Sequence, residues 1–335
     1  MWQALAQSVP VEVTTARANA HVDPSLHIWE SEIPIYLFLG GLAGGLLILS
    51  AVLAFMARRE GKPVAKAATW MPFTALGLLS IGMLFLFLDL AHKFYVWRFY
   101  LSFELTSPMS WGSWILMLVY PVGILLGLNL ISEEARSRIV GFCPLARAGL
   151  PSPLCWLAAK AKKMNTGLWG LSIATGIALA VYTGILLGAN GSRVVWNSAL
   201  LGPLFLVSGI SGAAAFLLLF RTDPDNEKRL LRFDIAAIVA ELVLLGLLLI
   251  GYGNAGVGGR FAAAQFLGGP WSGSFWGLLI ITGLILPLVL ETSEQRGRVH
   301  ASKILPIVVL FGGFMLRYIM VFSGQPTSIV QVAGF

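Results

Sequence analysis

The sequence predicts an all-α fold: a polytopic membrane helix bundle with eight transmembrane helices and both termini on the outer (periplasmic) side. Three observations carry that expectation. Hydrophobic residues make up 57% of the chain and charged residues only 12%, about half the charge of an ordinary soluble domain. Eight apolar stretches approach or exceed the ~20 residues a helix needs to cross a bilayer core. The basic residues then segregate to alternate loops. Arg58, Arg59, Lys62, Lys66, Arg136, Arg138, Arg147, Lys160, Lys162, Lys163, Arg221, Lys228, Arg229, Arg232, Arg296, Arg298 and Lys303 fall on one side. The opposite side holds only Arg17, Lys93, Arg98, Arg193 and Arg260. The positive-inside rule makes the crowded side cytoplasmic. The net charge of +7 therefore reports topology and does not point to nucleic acid.

The spans are expected at 33–57, 71–91, 111–131, 167–188, 199–220, 232–252, 274–290 and 304–323. They divide the chain into a periplasmic segment (1–32), a membrane domain (33–323) and a periplasmic tail (324–335). Segment 1–26 lacks a basic stretch followed by an apolar one, so no cleavable signal peptide is expected. The first span follows HIWESEIPIYLFLGGLAGGLL and carries Gly40, Gly41, Gly44 and Gly45 at small-xxx-small spacing, which lets neighbouring helices approach closely in lipid. The second ends in FLDLAHKFYVWRFY, the third opens in SPMSWGSW, and the fourth carries Tyr182 in its outer half. Small residues return in the fifth span at Ser208, Gly209, Gly212 and Ala213. LFLGGLAG and LFLVSGISG are alike, and both spans run inward, which suggests a four-plus-four internal duplication. Glu241 lies near the middle of the sixth span and Arg317 in the outer half of the eighth, an axial offset of ~6 Å. Charges at that depth cost at least ~2.5–3.5 kcal/mol each unless paired or hydrated. A proton path and a structural ion pair both fit them. Asp234 and Glu291 fall at cytoplasmic helix ends and read as interfacial.

Ionisable and hydrogen-bonding groups collect at one level near the outer surface. Glu30 and Glu32 stand at the mouth of the first span, with Tyr36 a turn deeper. Asp89 and His92 close the second, Ser110, Trp111 and Trp114 open the third, and Tyr182 joins them from the fourth. Carboxylates, a histidine and tyrosines beside aromatic side chains suit an amphipathic ring compound with two oxygen atoms, such as a quinone headgroup. A carboxylate in a partly apolar pocket is also tuned for proton exchange. Interfacial Trp and Tyr are equally the ordinary aromatic belt of a membrane protein.

The same residues carry a resemblance. WESEIPIYLFLGGLAGG, LDLAHKFYVWRFY followed by SPMSWGSW, and VYTGILLGANGSRVVWNSALLGPLFLVSGISG resemble the first five spans of the NrfD/PsrC family, the membrane subunits of polysulfide reductase and its relatives. The resemblance implies a quinone-reactive subunit of the cytoplasmic (inner) membrane, binding menaquinone or ubiquinone. It implies electron exchange with a four-cluster iron–sulfur subunit docked on the outer face, usually linked to a molybdopterin catalytic subunit. Residue by residue, Glu30 takes the acid/base position after the first tryptophan, Asp89 is the aspartate of the LDL motif, and Tyr182 begins the YTG-like motif. Catalytic roles are thus expected for Glu30, Asp89 and His92. Quinone contacts are expected from His27, Tyr36, Ser110, Trp111 and Tyr182, and a proton path through Glu241 and Arg317.

No haem, iron–sulfur cluster or metal is expected on this chain. His21, His27, His92 and His300 all avoid the middle of a span, and Cys143 and Cys155 make no metal-ligand spacing. Loops 92–110 and 251–273 are expected to receive the partner. A secondary transporter or proton channel working alone, and a passive anchor without a quinone site, are the competing readings. The weak repeat symmetry and the absence of clearly broken helices argue against the first; the outer polar cluster argues against the second.

Overall fold

The computed structural model describes residues 29–64, 66–90, 92–132, 134–135, 160–161, 166–220, 224–296 and 304–327. Eight helices among them are long and apolar enough to cross a membrane. They are α1 (Glu32–Arg59), α2 (Lys66–Asp89), α3 (Pro108–Leu130), α4 (Thr166–Gly188), α5 (Leu201–Leu218), α6 (Pro224–Asn254), α7 (Ser274–Gln295, π-helical as far as Ile285) and α8 (Ile304–Gly324). No strand occurs among the described residues. His21, His27, His300, Cys143 and Cys155 lie outside those residues.

The sequence marked the spans within a few residues, with one clear exception. Helix α6 starts at Pro224, because PDNEKR continues the turn beyond the apolar run and places Asp225 and Glu227 where the helix dipole favours negative charge. Loop 251–273 also proved more ordered than a glycine-rich linker, since Gly256–Leu267 forms a helix through RFAAAQFL.

Helix α1 is the hub. It packs against α2, α4, α5 and α8, and touches α3. Helices α1 to α4 close one ring of neighbours and α5 to α8 close a second, joined where α1 meets α5 and α8 and where α4 meets α5. The joins are made by missing side chains. A Cβ on Gly45 would sit 2.1 Å from the Gly209 carbonyl oxygen of α5, and one on Gly209 would sit 2.5 Å from that of Gly41. On the other side of α1, Gly44 and Gly176 of α4 each leave room for the other's carbonyl, with 2.7 Å to a built Cβ both ways. Between α7 and α8, Gly283 and Gly312 meet in the same way. With lipid tails as apolar as the side chains, this close backbone packing supplies association that apolar burial does not.

The two ends of the described chain meet on one face. Trp29 N–H donates to Gln325 Oε1, and Gln325 Nε2 donates back to the Trp29 carbonyl at 2.7 Å. Trp29 stacks on Trp196 with ring centroids 4.9 Å apart, and Trp196 Nε1 donates to the Met320 carbonyl. Arg193 donates to the Gln325 carbonyl, and Tyr252 to that of Val195. One knot therefore ties the start of α1, the α4–α5 connection and the ends of α6 and α8. On the opposite face, Arg229 of α6 pairs with Glu60 at 2.5 Å and Lys62 with Asp225 at 3.0 Å. The Arg229 hydrogen bond holds the Glu60 carboxyl below its ordinary value. This exposed clasp therefore acts at neutral pH, loosens as pH falls through the carboxylate range, and weakens with salt.

Gly45→Ala is expected to force α1 and α5 apart and to cost about 1–3 kcal/mol, seen as a lower unfolding temperature in detergent. Gly77→Ala on α2, where a Cβ meets nothing within 4 Å, is the control and should leave stability unchanged or slightly raised.

Candidate functional site

The first ring holds a cleft beneath the connection between α2 and α3. Tyr36 enters it from α1, Met83, Leu86 and Leu90 from the end of α2, and Tyr182 and Leu186 from α4. Val96, Phe99 and Tyr100 form its roof, and Met109, Ser113 and Leu116 of α3 complete the wall. Its cavity volume is about 80 Å³, smaller than the ~300–1,000 Å³ of a typical preformed small-molecule site. The lining is apolar apart from three phenols and Ser113. Tyr36 and Tyr182 are buried, their hydroxyl groups interact with each other, and Tyr100 lies near both. Burial pushes the Tyr100 phenol above its ordinary value, so it remains a hydrogen-bond donor at neutral pH.

The SPMSWGSW segment explains how the roof is held. Ser107 caps α3 by accepting from the Ser110 N–H, with Pro108 in the first turn. Ser110 Oγ accepts from the Glu104 N–H and donates to the Ser102 carbonyl, both at 3.0 Å. Trp111 Nε1 donates to the Leu105 carbonyl at 2.9 Å. Ser113 Oγ donates to the Phe99 carbonyl at 2.6 Å, fixing the short helix Arg98–Leu101 over the cleft. Gly112 makes room for the phenol from α4, because a Cβ there would fall 2.0 Å from the Tyr182 hydroxyl. Ser107, Ser110, Trp111 and Ser113 thus hold the roof and Gly112 clears space beneath it.

The structure therefore distributes the expected site residues among different jobs. Tyr36 and Tyr182 line the cleft together. Ser110 is buried and Trp111 half-exposed, and both spend their polar atoms on the roof. Glu30 and Glu32 lie close enough to Asp89 to repel its charge, at the cleft edge where Leu90 follows Asp89. His92 is exposed and packs edge-on against Tyr95, outside the lining. His27 lies outside the described residues. Tyr100, Phe99 and Met83 were missed, since FYVWRFY offers several aromatic residues and nothing in their order says which one turns inward.

The second ring contains a buried polar line. Arg317 is enclosed and donates from Nη1 to Ser208 Oγ and the Gly313 carbonyl, and from Nη2 to the Phe205 carbonyl. Its guanidinium lies over the Phe205 ring at 4.9 Å and packs where Gly41 of α1 lacks a side chain. Glu241 lies near the same Ser208 hydroxyl and within electrostatic reach of Arg317. Ser208 thus stands close to both charges, which make no direct ion pair within 4 Å of each other. Asp234 and Glu291 correct the interfacial reading. Both are fully buried, because α6 and α7 cross near them and turn both carboxyls inward. No group of three or more His, Cys, Asp or Glu residues among the described ones is placed to hold a metal ion.

With this geometry in view, the comparisons with known proteins are specific. The family described as "Polysulphide reductase, NrfD" matches residues 19–329. A polysulfide reductase chain of Wolinella succinogenes is 29% identical over 314 residues, covering 89% of this protein and 94% of the relative. Protein NrfD of Escherichia coli K12 is 27% identical, covering 90% and 96%. A selenate reductase subunit of Mesobacillus selenatarsenatis is 26% identical, covering 88% of this protein and 73% of its own length. The cleft, the stapled roof and the glycine-packed hub thus belong to a multi-pass membrane protein of the NrfD/polysulphide reductase family.

Proposed function

We propose that this chain is the quinone-reactive membrane subunit of a reductase complex. In this reading it exchanges electrons between the membrane quinone pool and an iron–sulfur subunit docked on the face that carries the cleft. The segregation of lysine and arginine supports reading that face as the outer one, with the chain in the inner membrane and the partner in the periplasm. A molybdopterin subunit would carry the terminal chemistry; the relatives named as parts of polysulfide and selenate reductases support such a division of labour. The observation that carries the reading is the facing pair Tyr36 and Tyr182 in an apolar cleft, in a chain matched by the family over most of its length.

The residues present fit a quinone headgroup. Such a group, when bound, supplies reversible two-electron chemistry that takes up or releases protons at two ring oxygens. Tyr36, Tyr182 and Tyr100 would donate hydrogen bonds to those oxygens, and Leu86, Leu90, Phe99 and Leu116 would exclude water from the ring. Glu30, Glu32 and Asp89 sit between the cleft edge and bulk water, where carboxylates relay protons. Gly41, packed against Arg317, lies five residues or ~7.5 Å along α1 from Tyr36. The Glu241–Ser208–Arg317 line therefore offers a second proton route that approaches the cleft from the other side. A lone transporter explains the buried charges but not the dedicated roof over two tyrosines.

Three outcomes test this in the assembled complex. Tyr182→Phe should raise the quinone KM roughly two- to tenfold, the worth of one neutral hydrogen bond, measured as quinone-linked electron transfer; an unchanged KM and kcat would remove the tyrosine from the site. Gly112→Ala should displace the Tyr182 ring, slow turnover on the order of a hundredfold and, as local overpacking, lower stability by about 1–3 kcal/mol in a complex that still assembles. Glu241→Gln should slow proton uptake in proteoliposomes. If turnover and proton movement both match the parent, no proton travels through Glu241.

A further inference from the structure

Asp234 and Glu291 belong neither to the cleft nor to the Glu241–Arg317 line. Asp234 projects from α6 and Glu291 from the end of α7, and their carboxyl groups lie close enough to act on each other's charge. Asp234 is wholly enclosed and Glu291 is 1% exposed. Ser211 of α5 donates to Asp234 Oδ1 at 2.6 Å. Asp234 Oδ2 and both oxygens of Glu291 are buried without any donor. The other charged groups near the pair are Glu294, on Glu291's own helix, and Glu241, further along α6 from Asp234; no lysine or arginine makes an ion pair with either carboxyl among the described residues. Two adjacent carboxylates in apolar surroundings, with no cation between them, repel each other and lose their hydration together. A single proton between them removes one charge and supplies the missing donor.

We propose that Asp234 and Glu291 form a one-proton storage site. Glu291 carries the proton and donates it to Asp234 Oδ2, while the Ser211 hydroxyl stabilises the charge left on Asp234. The pair then holds one negative charge and one exchangeable proton, and it gains or loses that proton as H⁺ without any redox partner. Its place in the fold gives it a direction. Ser211 and Ser208 stand one turn apart on α5 and share a face. Ser208 accepts from Arg317 and lies near Glu241, so the storage site is one turn from the line that rises to the cleft. Asp234 lies five residues, ~7.5 Å, along α6 from Arg229 of the Glu60 clasp. The site is thus the loading position for protons taken from the face opposite the cleft. That supply role rests on the quinone reading; the shared proton does not.

The test has two arms. Infrared difference spectra of the purified complex at neutral pH should show the carbonyl band of one buried, protonated carboxylic acid that moves in heavy water. Glu291→Gln should abolish that band. Asp234→Asn should keep it at a higher frequency, because the strong bond to a carboxylate is gone. Glu241→Gln, run alongside, separates any band from that residue. No band in the parent, or a band unchanged in Glu291→Gln, overturns the storage site whatever the chain does with quinones. In the second arm the complex is reconstituted with a pH-sensitive dye on the clasp face. Glu291→Gln should abolish proton uptake from that face while electron transfer in detergent continues. Unchanged uptake, with the infrared result intact, leaves a static shared proton and overturns the loading role. A variant that fails to assemble is replaced by Ser211→Ala, which should shift the band and lower uptake without removing either carboxyl.

Discussion

Gly44, Gly45, Gly176 and Gly209 bring α1 against α4 and α5 at backbone-to-backbone distance, and the positions of the other side chains follow from that approach. Because α1 is pinned on both flanks, Tyr36 faces α4 and not lipid, at the level where Tyr182 arrives from the other side. The same approach exposes the α1 backbone at Gly41 to the Arg317 guanidinium. One steric constraint thus sets both the cleft of the first ring and the upper end of the polar line in the second.

Polar groups in the bilayer must find partners within the protein, and the structure meets that demand in two ways. On the cleft face the partners are fixed and local: Ser110, Trp111 and Ser113 saturate the carbonyls and N–H groups of the roof, and Gln325, Arg193 and Trp196 lock the chain ends. In the second ring the demand is left partly open. Arg317 has three acceptors for its terminal nitrogens, yet Glu241, Asp234 and Glu291 retain oxygen atoms without donors. A rigid roof suits a site that must position a substrate, and unsaturated carboxyls suit a route for protons, since a fully satisfied network has no vacancy for a proton to enter.

The two proposed roles therefore fall in different rings. The tyrosines and outer carboxylates lie in α1 to α4, while the buried acids and Arg317 lie in α5 to α8. Contact between them passes through α1 and α5, where there is almost no side chain to deform. Such a joint transmits position rather than compliance.

Much of this was legible in the sequence. Eight apolar runs, the segregation of lysine and arginine, and the glycine spacing determined the class, the number of spans and the tight packing of α1, because bilayer thickness and the absence of a Cβ act locally. Tyr36 and Tyr182 were also legible, through the motifs that contain them. The division of labour was decided only in three dimensions. Ser110 and Trp111 looked like ligand contacts and became staples, because their carbonyl acceptors lie six to eight residues back in an irregular loop. Tyr100 turned inward while Tyr95 and Trp97 stayed half-exposed, a choice made by the short helix Arg98–Leu101 and not by residue type. Asp234 and Glu291 read as interfacial from their distance to the helix ends. They are buried because depth along one helix says nothing of which neighbour crosses it, and the crossing of α6 and α7 closes over both carboxyls.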